Sequence, residues 1–255
     1  MLTGKHFFQK SLGIRYTGLL ASTALPIIVI LVIVQSVLPA YAATARTAQH
    51  SAILAGCISP SDCVSKMTLP EKEGQMTQVE NNAFTRAGNS ITDIKTYFIG
   101  SVLSGGGGGP NGTTGGTATQ WADMVDNFQS YALQTRLGIP LIYGADAVHG
   151  HNNVYGATLF PHNIGLGAMH DPALITQVEQ VTRDEVLGTG VRWTFAPCVC
   201  TPQDIRWGRT YEGYSEVPSD NATDGSAAIV GFQGSNGALG PTNILATAKH
   251  FIGDG

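Results

Sequence analysis

Charge is scarce in this chain. Only 13% of its 255 residues are Asp, Glu, Lys or Arg, about half the usual quarter. No acidic residue precedes Asp62. The formal net charge is −4, and removing the three cations of the leader described below would make the remainder more acidic. An acidic surface repels phosphate backbones, which argues against a nucleic-acid partner. Cysteine is limited to Cys57, Cys63, Cys198 and Cys200. Cys57 and Cys63 close a short loop and could pair. Cys198 and Cys200 flank a single residue, which is poor geometry for a mutual bridge. Their spacing is not that of a zinc site either; no metal and no organic cofactor is expected. The 32 glycines follow no fixed period, which excludes collagen-like repeats. The run from Gly105 to Gly109 is followed by no Gly-Lys-Ser/Thr, so it is not a phosphate loop.

The N-terminus, by contrast, is rich in signal. Lys5, Lys10 and Arg15 form a basic segment ahead of an uncharged stretch from Tyr16 to Ala45, most apolar over Ile27 to Val34. Ala40-Tyr41-Ala42 then matches the small-x-small pattern cut by signal peptidase. Residues 1–42 are expected to be a signal peptide cleaved after Ala42, and the product secreted or extracytoplasmic. The alternative is an uncleaved membrane anchor, because the apolar stretch reaches the roughly 20 residues that span a bilayer. Residues 43–66 are expected to be a polar connector, and residues 67–255 one partial domain.

Within that domain, strand and helix patterns alternate. A helix is expected near Pro70-Glu71, where proline suits the first turn and the carboxylate faces the positive end of the dipole. Trp121, Met124, Val125, Phe128, Ala132 and Leu133 recur at helical spacing, giving a helix over Thr119 to Thr135. Asp171-Pro172 starts another that runs to about Leu187, with Gly188 as its stop. A further helix spans Ser219 to Phe232. Apolar runs at Tyr97 to Leu103, Ile139 to Ala145, Val191 to Ala196 and Ile244 to Ala248 are read as four strands. Strands alternating with helices imply parallel pairing. The fold class is therefore α/β, either doubly wound or a (β/α)8 TIM-like barrel of which about four strand-helix units, the first half, are present. The chemically distinctive residues Ser104, Asp146, Arg209 and Lys249-His250 all follow strand ends, which suits the C-terminal face of a barrel.

Several of these residues admit two readings. Asp146 can accept hydrogen bonds from vicinal sugar hydroxyls or cap the next turn. His149 and His151 form an H-x-H pair suited to loop structure, substrate contact or, with a third ligand, a metal. The Arg206 to Glu216 block combines aromatic faces and arginine forks, as sugar sites do, but an ion-paired loop has the same composition. Glu212 and Glu216 on that loop are read as partners for arginines. Lys249 can donate to a substrate hydroxyl or act as a Schiff-base nucleophile. Asp254 is a carboxylate in a Gly-Asp-Gly turn setting. Asn111-Gly112-Thr113 and Asn221-Ala222-Thr223 have the form of glycan acceptors.

Ordered segments carry a resemblance to a known family. They include Met67 to Gln78, F-I-G-S-V-L-S-G-G-G (Phe98 to Gly107) and R-L-G-I-P-L-I-Y-G-A-D-A-V-H-G (Arg136 to Gly150). Others are Asn152 to Ala168, F-A-P-C (Phe195 to Cys198), R-W-G-R-T-Y-E-G-Y-S-E (Arg206 to Glu216) and A-K-H-F-I-G-D-G (Ala248 to Gly255). From about Ser51 onward the chain resembles the N-terminal domain of family 3 glycoside hydrolases, in the branch of plant-type β-glucosidases and exo-β-glucanases. The resemblance implies a (β/α)8-like barrel that releases terminal non-reducing β-D-glucosyl residues with retention, acting on a β-glucoside or β-glucan oligosaccharide. It implies that Asp146, Arg209, Lys249 and His250 hold glucose. The family's nucleophile and acid/base carboxylates belong to later segments, so no catalytic residue is expected within residues 1–255, and this chain alone is expected to be inactive. The rival expectation is a non-catalytic carbohydrate-binding or anchored protein.

Overall fold

A computed structural model describes residues 57–255, apart from 113, 114 and 238. The chain divides into two units, Met1–His50 and Ser51–Gly255, and the described residues belong to the second. The expected signal peptide and most of the expected connector lie outside them. The end of that connector is a helix, α1 (Pro60–Lys66), started by the Ser59 side chain and tied to Cys57 through a Cys57–Cys63 disulfide. Helix α2 (Leu69–Gln75) follows, with Pro70 in its first turn.

Four parallel strands form one sheet in the order β1-β2-β3-β4. They are β1 (Gln78–Glu80), β2 (Ser101–Ser104), β3 (Ile142–Ala145) and β4 (Trp193–Thr194). The segment expected as the fourth strand, Ile244 to Ala248, instead occupies a fifth position. It is joined to β4 by the parallel bridge Trp193↔Leu245 and to the segment after β4 by Cys198↔Lys249, rather than by a continuous ladder. Strand β1 went unread because three residues, two of them polar, carry no periodicity. The other strands are shorter than their apolar runs. Helix α3 (Asp93–Thr96) delays β2, and its C-cap is Tyr97. Pro140, which lacks an amide donor, precedes β3.

Helices α4 (Ala118–Ala132), α6 (Pro172–Gly188) and α7 (Pro218–Gln233) match their expected positions to within a few residues. A short α5 (Asn163–Gly167) lies between β3 and α6. Thr117 and Gln120 form a reciprocal cap that starts α4. Its apolar stripe, Trp121, Val125, Phe128 and Ala132, packs with Val102 and Tyr143 in the core, and Phe128 stacks on Tyr143. Asp171 caps α6 through the Leu174 N–H. Tyr143 thus faces the helical layer. Gly144, one residue on, points the other way: a Cβ there would lie 2.5 Å from the Phe195 ring. The inner face therefore requires glycine just below Asp146. This is the α/β barrel-type arrangement, with the polar residues gathered at the strand ends.

Candidate functional site

Asp146 follows β3 directly. Its N–H donates to Ser104 O at 3.2 Å, which extends the ladder by one residue and fixes the direction of its side chain. Lys249 is held two strands away in the same manner: its N–H donates to Pro197 O at 3.0 Å, and its carbonyl accepts from Val199 at 3.0 Å. The two side chains meet, with Lys249 Nζ 3.1 Å from Asp146 Oδ1. The lysine side chain is 12% exposed and the carboxylate 26%, so the pair is accessible from one side only.

Arg209 lies in the long loop after β4. Its guanidinium makes a fork on Glu212, with Nε to Oε1 and Nη2 to Oε2 both at 2.7 Å. That contact holds the Glu212 carboxyl below its usual range and raises Arg209. Nη2 also donates to His250 Nε2 at 2.8 Å, while His250 Nδ1 lies 2.7 Å from Asp254 Oδ2. A neutral imidazole with its proton on Nδ1 satisfies both contacts. The peptide between Lys249 and His250 is cis. All four sequence-selected residues thus come together as two linked pairs, Asp146 with Lys249 and Arg209 with His250.

Other candidates separate. Ser104 is fully buried and bonds the Tyr143 hydroxyl at 2.6 Å, which makes it a core residue. His149 and His151 diverge. His151 is buried against Trp121 and bonds Thr189 Oγ1, and desolvation lowers it to about 4. His149 pairs with the Phe160 carbonyl and stacks near His162, whose ring also meets Tyr211. Gly150, at φ 85°, turns the chain between the two histidines, and a Cβ there would strike the Thr158 carbonyl. Asn221 is buried, and its Oδ1 accepts from the N–H groups of Tyr214 and Ser215, so that sequon is structural. The other ends at residue 113, outside the described residues. Asn163 escaped the sequence reading. It is buried beside Glu212, donates to the Glu212 carbonyl at 2.8 Å and leaves Oδ1 without a partner. No motif marks it.

Cys198 and Cys200 are bonded to one another, with Cα atoms 5.3 Å apart, contrary to the expectation drawn from their spacing. The intervening Val199 is held by its bond to Lys249 O, which brings both sulfurs to one side. Potential ligand atoms of Cys198, Cys200, His250 and Asp254 lie within 4.8 Å of one another. Both sulfurs are used in the disulfide, and both imidazole nitrogens are engaged by Arg209 and Asp254. The donor set as arranged does not fit an ion.

Residues 68–255 match the model of the glycosyl hydrolase family 3 N-terminal domain. The chain belongs to this family. A lysosomal β-glucosidase of Dictyostelium discoideum is 38% identical over 211 residues, covering 74% of this chain and 25% of the relative. The crystal structure of an exo-1,3/1,4-β-glucanase from a Pseudoalteromonas species is 40% identical, with a TM-score of 0.69 over 79% of this chain and 26% of that one. A β-glucosidase variant from Listeria innocua, crystallised with laminaribiose, is 27% identical, with a TM-score of 0.58 over 76% of this chain and 27% of that one. The chain therefore spans about a quarter of the length of these family 3 relatives. The family 3 domain explains the barrel-type sheet and the gathering of polar residues at its strand ends.

Proposed function

We propose that this chain is the glucose-holding part of a retaining β-glucosidase or exo-β-glucanase. The observation carrying this reading is the convergence of Asp146, Arg209, Lys249 and His250, from three separate strand ends, in a family 3 domain. A carboxylate, an ammonium and a guanidinium fork match the alternating donors and acceptors of a sugar ring. In the structure these groups bond one another. Glucose hydroxyls would replace those contacts, with Asp146 accepting from two neighbouring hydroxyls and Lys249 and Arg209 donating to sugar oxygens. Lys249 is engaged by Asp146, which supports a binding role over Schiff-base chemistry.

Retention requires two carboxyl groups about 5 Å apart across the scissile bond. In the reading proposed here they belong to segments beyond residue 255. The site as described therefore grips the sugar without cleaving it, and residues 1–255 alone are expected to give no turnover. An extracytoplasmic location is supported by the leader pattern, by the Cys57–Cys63 bond, and by relatives named as lysosomal or periplasmic. Among the described residues, no helix is long and apolar enough to cross a membrane.

The test is hydrolysis of an aryl β-glucoside by the complete gene product, with NMR reading the first anomer released. β-Glucose is expected. Release of α-glucose, or binding without turnover, would overturn the assignment. Asp146→Ala is expected to lower kcat/KM by about 10²- to 10⁴-fold, from two charge-assisted hydrogen bonds at about 1.5–3 kcal/mol each.

A further inference from the structure

The loop after β4 that carries Arg209 is braced along one side by the short helix α5. Just past Arg209 this loop makes a 3₁₀ turn, Thr210–Glu212. Three contacts join it to α5, in the same order along both segments. The ring of His162, the residue before α5, meets the Tyr211 ring edge-on, with centroids 4.6 Å apart. Asn163 Nδ2 donates to Glu212 O at 2.8 Å. Gly167 approaches Tyr214 so closely that a Cβ there would strike the Tyr214 carbonyl. Glycine at 167 is therefore what lets the helix lie against the loop.

Asn163 is the polar member of this brace. It is 5% exposed, and its Oδ1 has no partner. Turning its amide over would set Oδ1 against Glu212 O, acceptor against acceptor, so the donor must face the loop. An unpaired buried oxygen works against folding, and an apolar side chain would fill the place without one. What the asparagine supplies is its bond to Glu212. The space that Asn163 and Glu212 line holds only about 10 Å³, far too little for a sugar, so Asn163 acts on the loop and not on a substrate.

Glu212 passes that hold onward. Its main chain is fixed by Asn163, and its carboxylate forks Arg209 through two bonds of 2.7 Å. The Arg209 side chain is 45% exposed, so the fork, rather than packing, sets the plane of the guanidinium. Arg209 Nη2 then reaches His250 at 2.8 Å. We infer that Asn163 is a positioning residue for sugar binding, which aims the Arg209 guanidinium through Glu212. The inference rests on the glucose-holding role proposed above.

The experiment uses the complete gene product and the variants Asn163→Leu and Asn163→Ala, each made alone and together with Arg209→Ala. Kinetics on an aryl β-glucoside, the competitive Ki of glucose and the urea midpoint are measured. With Arg209 present, both variants are expected to lower kcat/KM and to raise the glucose Ki at least 5-fold. Their urea midpoints are expected to stay near wild type, because one unpaired oxygen, Oδ1, is removed as another, Glu212 O, is created. With Arg209→Ala, the same substitutions are expected to change kcat/KM and Ki by less than twofold, because no guanidinium remains to be aimed. Equal losses in the two backgrounds, an unchanged Ki, or failure of both variants to fold would make Asn163 a part of the fold alone and overturn the inference. Absence of aryl glucoside turnover in the wild type would instead overturn the β-glucosidase reading, and this inference with it.

Discussion

At the scale of single residues, Arg209 joins a carboxylate and an imidazole of the site. One face of its guanidinium locks onto Glu212, and Nη2 reaches His250. A lysine can place one ammonium but cannot serve a carboxylate fork and an imidazole in one plane. Arg209→Lys is expected to lower kcat/KM of the complete enzyme about 10²-fold, and steady-state kinetics on an aryl glucoside would read it; a loss under threefold would remove Arg209 from the site. Asn221 offers a contrasting case. Its sequon is intact, but its amide is consumed by the turn before α7. Peptide mapping of protein secreted from a glycosylating host is expected to find no glycan at Asn221. A glycan there would mean that the turn opens.

Among elements, two buried acids report on packing with opposite pH signs. Glu71 in α2 reaches the loop after α4, where Arg136 donates to both of its carboxylate oxygens at 3.0 and 2.7 Å. Arg136 and the Thr68 N–H hold that carboxyl down to about 2. The folded value lies below the unfolded one, so the contribution is complete above roughly pH 4.3 and is lost as pH falls toward 2. Glu179 faces α7 from α6. Desolvation pushes it up to about 8, with the neighbouring Thr182 side chain opposing the shift. Here the folded state retains a proton that the unfolded state releases, so stability falls as pH rises from roughly 4.3 through 8. Urea midpoints across pH 3 to 9 are expected to show both slopes, with Glu71→Gln flattening the acid limb and Glu179→Gln the alkaline one. The same α6–α7 contact depends on Gly231, where a Cβ would lie 2.6 Å from Glu179 Cβ. Gly231→Ala is expected to cost about 1–3 kcal/mol through overpacking, read as a lower urea midpoint at constant slope.

For the whole molecule, the decisive feature is an open parallel sheet. Among the described residues, strand β1 pairs with β2 alone, and the segment in the fifth position is joined only to β4 and to the residues just after it. Phe251 and Ile252, which follow it, are 91% and 90% exposed. Unpaired strand edges beside exposed apolar side chains favour association between copies. Residues 43–255 expressed alone are expected to elute as oligomers or aggregates, and light scattering showing a stable monomer would contradict this.

How much of the molecule its sequence determined follows from the range of the interactions involved. Helices α4, α6 and α7 were legible because each is set by local terms: a cap at a known position and apolar residues at a period of about 3.6. The strand-end positions of Asp146, Arg209, Lys249 and His250 were legible because the apolar runs that precede them must be buried. Tertiary structure decided the rest. Strand β1 exists only because β2 offers it a hydrogen-bonding edge. Residues 244–249 pair with β4 discontinuously, because pairing depends on a neighbour's register rather than on local propensity. The diverging roles of His149 and His151, the burial of Asn221, the Cys198–Cys200 bond and the placement of Asn163 beside Glu212 all depend on which way the backbone turns. Residue type and spacing state what a side chain can do chemically, while its partners are chosen by contacts dozens of residues away.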